Sequence, residues 1–424
     1  MHRQAIPGTT AARAWRRSLA GLLFLCLATS QAASAATECH RPAERLGDGW
    51  QLAPSAESAG FNTARLCAAL DAVATGTDNI HGVVVARQGR LVAEFYRDGP
   101  DRRIDQMYGL PNPLAGDAHF DATTVHDVRS ISKSVVGLLV GIAIERGALP
   151  APSAPLLGFY PERGDLLTDA PPARTRITLA HLLTMSSGLQ WDEAALPNDE
   201  TRLFWNADLP GFVLGRPFES EPGQRFHYNS GGTALLAEVL VRNQGQGLSA
   251  LARAQLFDPM GIQDWSWARD MRGRELAFTG LRLRPRDLAK LGQLVLDGGR
   301  WKGRQLVPAA WVAESTRPHL FTSIHLPPDS PQPLGYGYQW WAGSLPWQGR
   351  AVPWSAGFGN GGQRLYVVPA LGLTVAISAG GYGVDSINTA VQSLFERIAG
   401  AAQPLPGLAL AVRSPATPGA APLR

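Results

Sequence analysis

The chain of 424 residues has little of several things that carry chemistry in other proteins. Three cysteines are present (Cys26, Cys39 and Cys67), and the nine histidines are scattered, with no His-Glu-x-x-His and no cluster of Cys and His at zinc-site spacing. That argues against zinc motifs of the usual spacing, so no metal and no organic cofactor is expected. There is no Gly-x-Ser-x-Gly, which removes the nucleophile elbow of the α/β-hydrolase kind. Gly357-Phe358-Gly359-Asn360-Gly361-Gly362 has no Gly-Lys-Ser/Thr after it and leads into a strand, so it reads as a tight strand-edge turn and not a phosphate loop. Lysine is scarcest of all: Lys133, Lys290 and Lys302 stand against 36 arginines. No internal repeat is visible.

The net charge of +4 is also less than it looks. Arg3, Arg13, Arg16 and Arg17 fall in residues 1–35, which hold no acid, and the remainder balances at 35 against 35. Composition therefore gives no case for nucleic acid or a membrane surface as partner. Residues 1–35 read as a secretory signal: a basic stretch, an apolar run from Leu19 to Ala28, and Ala33-Ser34-Ala35 as cleavage site. An apolar run of about ten residues is too short to span a bilayer. A periplasmic or secreted address without stable membrane insertion follows, by Sec or, through Arg16-Arg17, twin-arginine export. Cys26 leaves with the signal, and Leu25 before it fits a lipoprotein site poorly. Cys39 and Cys67 then remain as an even pair in an oxidising compartment, which predicts one structural disulfide.

Periodicity supplies the scaffold. Thr63 to Ala74 is helix-like, with Leu66, Leu70 and Val73 on one face. Gly82 to Arg87 and Leu91 to Tyr96 form a hairpin about Gln88-Gly89, and Arg364 to Val368 and Leu373 to Ser378 form a second pair. A helix carrying Ile387, Val391, Leu394 and Ile398 follows. Strands at both ends with a helix-rich middle predict one sheet built from both termini. The sheet part spans about 45–120 and 335–402, and the inserted helical part about 125–330. The middle holds helical segments at Ser134–Arg146, Leu179–Met185, Thr233–Arg242 and Pro285–Leu296. Residues 403–424, rich in Pro and Ala, read as a disordered tail.

Ser130-Ile131-Ser132-Lys133 is the segment with chemistry in it. The pattern alone is weak, but in a chain that otherwise chooses arginine, the one lysine here is a residue that can lose its proton when desolvated. Val135, Val136, Leu138, Leu139, Val140, Ile142 and Ile144 make an apolar helix, and Ser130 and Lys133 share one face of its first turn. Free N–H groups at a helix start favour developing negative charge. The plainer alternative is a helix cap with a snorkelling lysine.

Further segments decide between the two. Val128-Arg129-Ser130-Ile131-Ser132-Lys133-Ser134 resembles the nucleophile segment of the serine β-lactamase and penicillin-binding protein superfamily, nearest its class C-like branch of esterases, D-alanyl peptidases and 6-aminohexanoate-dimer hydrolases. Leu182-Leu183-Thr184-Met185-Ser186-Ser187-Gly188 looks like the family's Leu-Leu-x-x-x-Ser-Gly segment, and Pro222-Gly223-Gln224-Arg225-Phe226-His227-Tyr228-Asn229-Ser230 resembles its tyrosine motif. The resemblance, over roughly residues 50 to 398, implies a β-lactamase/transpeptidase-like α/β (α+β) fold: an antiparallel sheet flanked by helices, with an inserted all-helical domain. It also implies Ser130 as nucleophile, Lys133 as acceptor of its proton and Tyr228 as relay to the leaving group. The oxyanion donors it implies are the backbone N–H groups of Ser130 and, counting back from Pro369, Gly357.

Two departures bear on substrate. The tyrosine motif ends in Ser230 where many relatives carry Asn, which alters recognition of a substrate amide. The same count from Pro369 puts Trp354-Ser355-Ala356 where Lys-Thr-Gly or His-x-Gly stands, so the usual carboxylate-binding cation is missing there unless Arg350 or Arg364 replaces it. Trp354 is expected to wall an apolar cleft together with some of Trp191, Trp205, Tyr336, Tyr338, Trp340 and Trp341. The reading is a hydrolase of a small-molecule ester or amide, carboxylesterase-like or 6-aminohexanoate-dimer hydrolase-like. A D-alanyl-D-alanine carboxypeptidase, penicillin-binding protein or class C-like β-lactamase is the enzymatic rival, and a non-catalytic binding protein on the same fold the rival of another class.

Overall fold

The structure, a computed structural model, describes residues 39–42, 46–107, 109–110, 116–168, 171–194 and 198–404. Residues 1–35, the segment expected to be a signal, and all but the first two residues of the Pro/Ala-rich tail lie outside the described residues. No helix among the described residues is long and apolar enough to cross a membrane.

Both predicted hairpins form. Gln88 and Gly89, at φ 52° and 73°, make a left-handed two-residue turn between Ile80–Arg87 and Arg90–Tyr96. Gln363–Val368 and Leu373–Ala379 are joined through a short turn closed by Gly372 at φ 56°. The two hairpins meet: Val375 lies opposite Val85 in an antiparallel register, which joins the two ends of the chain in one sheet. Arg350–Gly359, Trp341–Trp347, Gly335–Tyr336 and Leu320–Phe321 extend it on one side, and Gln51–Leu52, the one parallel partner, closes the other. The nine-stranded sheet is thus antiparallel in all but one pairing.

Both faces of this sheet are covered, so its central strands are buried at every position. Alternation of side chains sorts them into two cores. Val83, Val85, Val375 and Ile377 pack beneath Leu66 and Leu70 of the helix Thr63–Thr75 and Leu394 and Phe395 of Ser386–Ala401. Val84, Leu365, Val367 and Ala376 face the other way, toward Ile131–Glu145, Pro285–Leu296 and the rest of the helical residues.

The helix Ile131–Glu145 places the site. It begins three residues before the predicted Ser134 and is buried along nearly its whole length. Gly141 leaves room for the Trp311 ring, whose indole Nε1 donates to the Gly137 carbonyl at 2.9 Å, while Gly137 itself lies against Tyr338 and Gln339. Gly147, at φ 69°, follows the last turn. The helix start abuts the strand Arg350–Gly359: a Cβ at Gly357 would lie 2.9 Å from Ile131 Cγ2, so only glycine allows this approach.

Candidate active site

Ser130 is the N-cap of that helix, and Lys133 follows one turn later. Lys133 Nζ donates to Ser130 Oγ at 3.0 Å and to the Phe278 carbonyl at 2.8 Å, and sits 4.9 Å from the Tyr228 ring centroid. The Tyr228 hydroxyl is in turn hydrogen-bonded to Ser130. Residues 95 apart in sequence converge because Tyr228 immediately precedes a second buried helix, Ser230–Gln244, packed beside the first.

Burial acts on the two bases in opposite directions. It pushes the Lys133 ammonium below its usual range, opposed by the charges of Glu200 and Glu193. It pushes the Tyr228 phenol well above its own, reinforced by Glu193 and opposed by the hydrogen bond with Ser130. Lysine is therefore the group that gives up its proton more readily and can act as base, and tyrosine keeps its proton at neutral pH. At the helix start, Ser130 also lies where backbone N–H groups and the helix dipole favour negative charge.

The site opens into a cavity of about 870 Å³ lined by Ser130, Tyr228, Glu193, Glu200, Trp341 and Phe358, among others. Sequence reasoning missed its acidic side. Glu193 and Glu200 share a hydrogen bond, and burial, with Glu193 beside it, pushes the Glu200 carboxyl up to about 7. Ser230 binds both: its Oγ donates to Glu200 Oε2 at 2.8 Å and its N–H to Glu193 Oε1 at 2.8 Å. Trp191 Nε1 donates to the same Glu193 oxygen at 2.8 Å. Nothing at the level of a motif marks these two glutamates, which sit on a loop and a one-turn helix and are selected by the fold alone.

Three expected contacts are corrected by this arrangement. Ser230 is fully buried and anchors the acid pair; it does not line the cavity. Trp354 lies in the core against Tyr366 and Phe395, and the aromatic wall is made by Phe358 and by Trp341, which stacks on Tyr228 at 6.0 Å. Trp354 packs behind Phe358, their ring centroids 5.9 Å apart, and only the strand end from Phe358 onward reaches the cavity. For the same reason Gly357 packs on Ile131 while Gly359 and Asn360 line the cavity. Of the other aromatics, Trp191, Tyr336, Tyr338 and Trp340 are core, and Trp205 is exposed.

The arginines are also sorted. Arg350 is exposed at the far end of its strand. Arg364 lines the cavity, but it is buried, lies over the Phe358 ring, and turns its two Nη groups to Asn388 Oδ1 and the Gly359 and Gln363 carbonyls. Far from the cavity, the Cys39 and Cys67 thiols are hydrogen-bonded to each other as free thiols.

Residues 70–387 match the family model described as Beta-lactamase. The chain is 26% identical over 313 residues to the 6-aminohexanoate-dimer hydrolase of Paenarthrobacter ureafaciens, covering 68% of this chain and 69% of that one. Among solved structures, the class C β-lactamase of Rhodobacter sphaeroides superposes with a TM-score of 0.56 at 17% identity, covering 79% and 98% of the two chains. EstCE1, a hydrolase with promiscuous acyltransferase activity, superposes with a TM-score of 0.55 at 16% identity, covering 78% and 98%. Family match, antiparallel sheet and fold neighbours agree: this chain belongs to the beta-lactamase family.

Proposed function

We propose that the protein hydrolyses a small ester or amide through an acyl-enzyme on Ser130, as a carboxylesterase-like or 6-aminohexanoate-dimer hydrolase-like member of its family. The observation that carries this is the hydrogen-bonded trio of Ser130, Lys133 and Tyr228 at the floor of the cavity. Lys133, its ammonium disfavoured by burial, takes the Ser130 proton as Oγ attacks the acyl carbon. Tyr228, still protonated, delivers a proton to the leaving group, and Lys133 restores it. Water then enters by the reverse route and releases the acid. The oxyanion is held by the Ser130 N–H and a backbone N–H of the cavity-lining strand end Phe358–Asn360.

The cavity supports an uncharged acyl group. Trp341 and Phe358 provide an apolar wall, and Arg364 is already bonded to protein carbonyls and Asn388. The relatives named for 6-aminohexanoate-dimer hydrolysis and for acyl transfer by a hydrolase point the same way. Residues 1–35 support a periplasmic or secreted location for the mature chain.

The test is turnover of p-nitrophenyl butyrate and of the linear 6-aminohexanoate dimer by the protein and its Ser130→Ala variant. Turnover lost in the variant is expected. Equal turnover in both would remove Ser130 from the mechanism. Covalent labelling by a fluorescent penicillin with no ester or amide turnover would replace the proposal with the penicillin-binding reading.

A further inference from the structure

Outside the active site, His81, Asp101 and His126 form a buried cluster that neither the mechanism nor the family match uses. His81 lies on the strand Ile80–Arg87, Asp101 ends the short strand Gly99–Asp101, and His126 opens His126–Asp127, four residues before Ser130. All three are at most 5% exposed, and one ligand atom from each lies within 4.8 Å of the others.

The hydrogen bonds around the two imidazoles fix their tautomers. Asn79 Nδ2 donates to the Pro100 carbonyl at 2.8 Å, so its Oδ1 is the atom turned to His81 Nε2, 2.8 Å away. His81 Nε2 must therefore carry a proton. His126 Nδ1 faces the Asp127 carbonyl at 3.0 Å and must carry one as well. The remaining nitrogens, His81 Nδ1 and His126 Nε2, are then both bare, and they point at each other across 2.9 Å. Two lone pairs at that distance repel. Beside them Asp101 Oδ2 is buried without a hydrogen-bond partner, while Oδ1 accepts from Tyr382 at 3.1 Å.

A cation between the three groups answers all of this together. Each imidazole donates its other N–H to an oxygen, the arrangement that orients histidines bound to metal. Two neutral imidazoles and one carboxylate are a donor set suited to zinc or a similar divalent ion. We propose that His81 Nδ1, His126 Nε2 and the Asp101 carboxylate bind one divalent cation of the zinc class, which pins three strands together ahead of the nucleophile segment. The link to that segment is short: Tyr382, which bonds Asp101, lies 4.3 Å from the Arg129 guanidinium, and Arg129 precedes Ser130 at φ 52°. The role is structural and independent of the proposed reaction.

The experiment measures metal per chain in the full-length protein, produced in zinc-supplemented medium, desalted, and compared with Asp101→Asn and Asn79→Ala variants. A second sample is unfolded in chelator and refolded with Co²⁺, which reports its ligands through visible d–d absorption. One equivalent of zinc and a nitrogen–oxygen cobalt spectrum are expected. Asn79→Ala, which touches only an orienting bond, should weaken binding on the order of 10–100-fold, and Asp101→Asn by at least as much. Zinc content equal in wild type and both variants, or no zinc retained and no cobalt spectrum in the wild type, would overturn the site. The cobalt readout on the wild type keeps the test decisive if a variant does not fold.

Discussion

Adding one methyl group at Gly141 tests whether the nucleophile helix is seated as described. The new Cβ would lie 2.2–2.3 Å from Cδ1, Cγ and Nε1 of Trp311, more than an ångström inside ordinary contact. Trp311 is 8% exposed and tied to Gly137, so its ring has no free direction. Overpacking of this kind costs about 1–3 kcal/mol. Losing the indole hydrogen bond costs about 1 kcal/mol more. Alanine returns about 1 kcal/mol through helix propensity, so Gly141→Ala should destabilise by about 1–3 kcal/mol. Gly400 is the internal control: it lies in the helix Ser386–Ala401, and a Cβ there meets nothing within 4 Å. Gly400→Ala should therefore stabilise, by up to about 1 kcal/mol. Urea midpoints of the two variants should move in opposite directions from wild type. A Gly141→Ala protein as stable as Gly400→Ala would refute the packing of Trp311 against this helix.

Lys133→Arg retains the charge but cannot give up a proton, so kcat/KM for p-nitrophenyl butyrate should fall on the order of 10²–10⁴-fold. A loss under about tenfold would mean another base acts. The kcat/KM profile should rise with pH as Lys133 loses its proton, below the usual lysine range because burial lowers its pKa. Glu200 and Glu193 oppose that lowering, so Glu200→Gln should move the rising limb to lower pH; a shift to higher pH would contradict the electrostatics of the acid pair. In an oxidising compartment, the Cys39 and Cys67 thiols, already in contact, are expected to form a disulfide, making the intact chain two hydrogens lighter and its paired peptides separable only by reductant. Free thiols at both positions there would show that the pair stays reduced.

What could be read in the sequence is local. A helix repeat puts Ser130 and Lys133 on one face, and a two-residue turn at Gln88-Gly89 joins neighbouring strands, so both follow from spacing within a few residues. Lysine in a chain of arginines also marks Lys133 before any fold is known. Tyr228 needed more, since its place beside Ser130 could be anticipated only through resemblance to other chains. Position along a strand was not legible: counting from Pro369 chose Trp354 and Gly357, while the cavity meets the same strand at Phe358, Gly359 and Asn360. The acid pair, the fixed role of Ser230 and the His81–Asp101–His126 cluster belong wholly to tertiary structure. So do the opposite pKa directions of Lys133 and Tyr228. Spacing along the chain fixes which side chains share a turn or a hairpin; desolvation and approach between distant segments arise only when the sheet closes from both termini and the helices bury its faces.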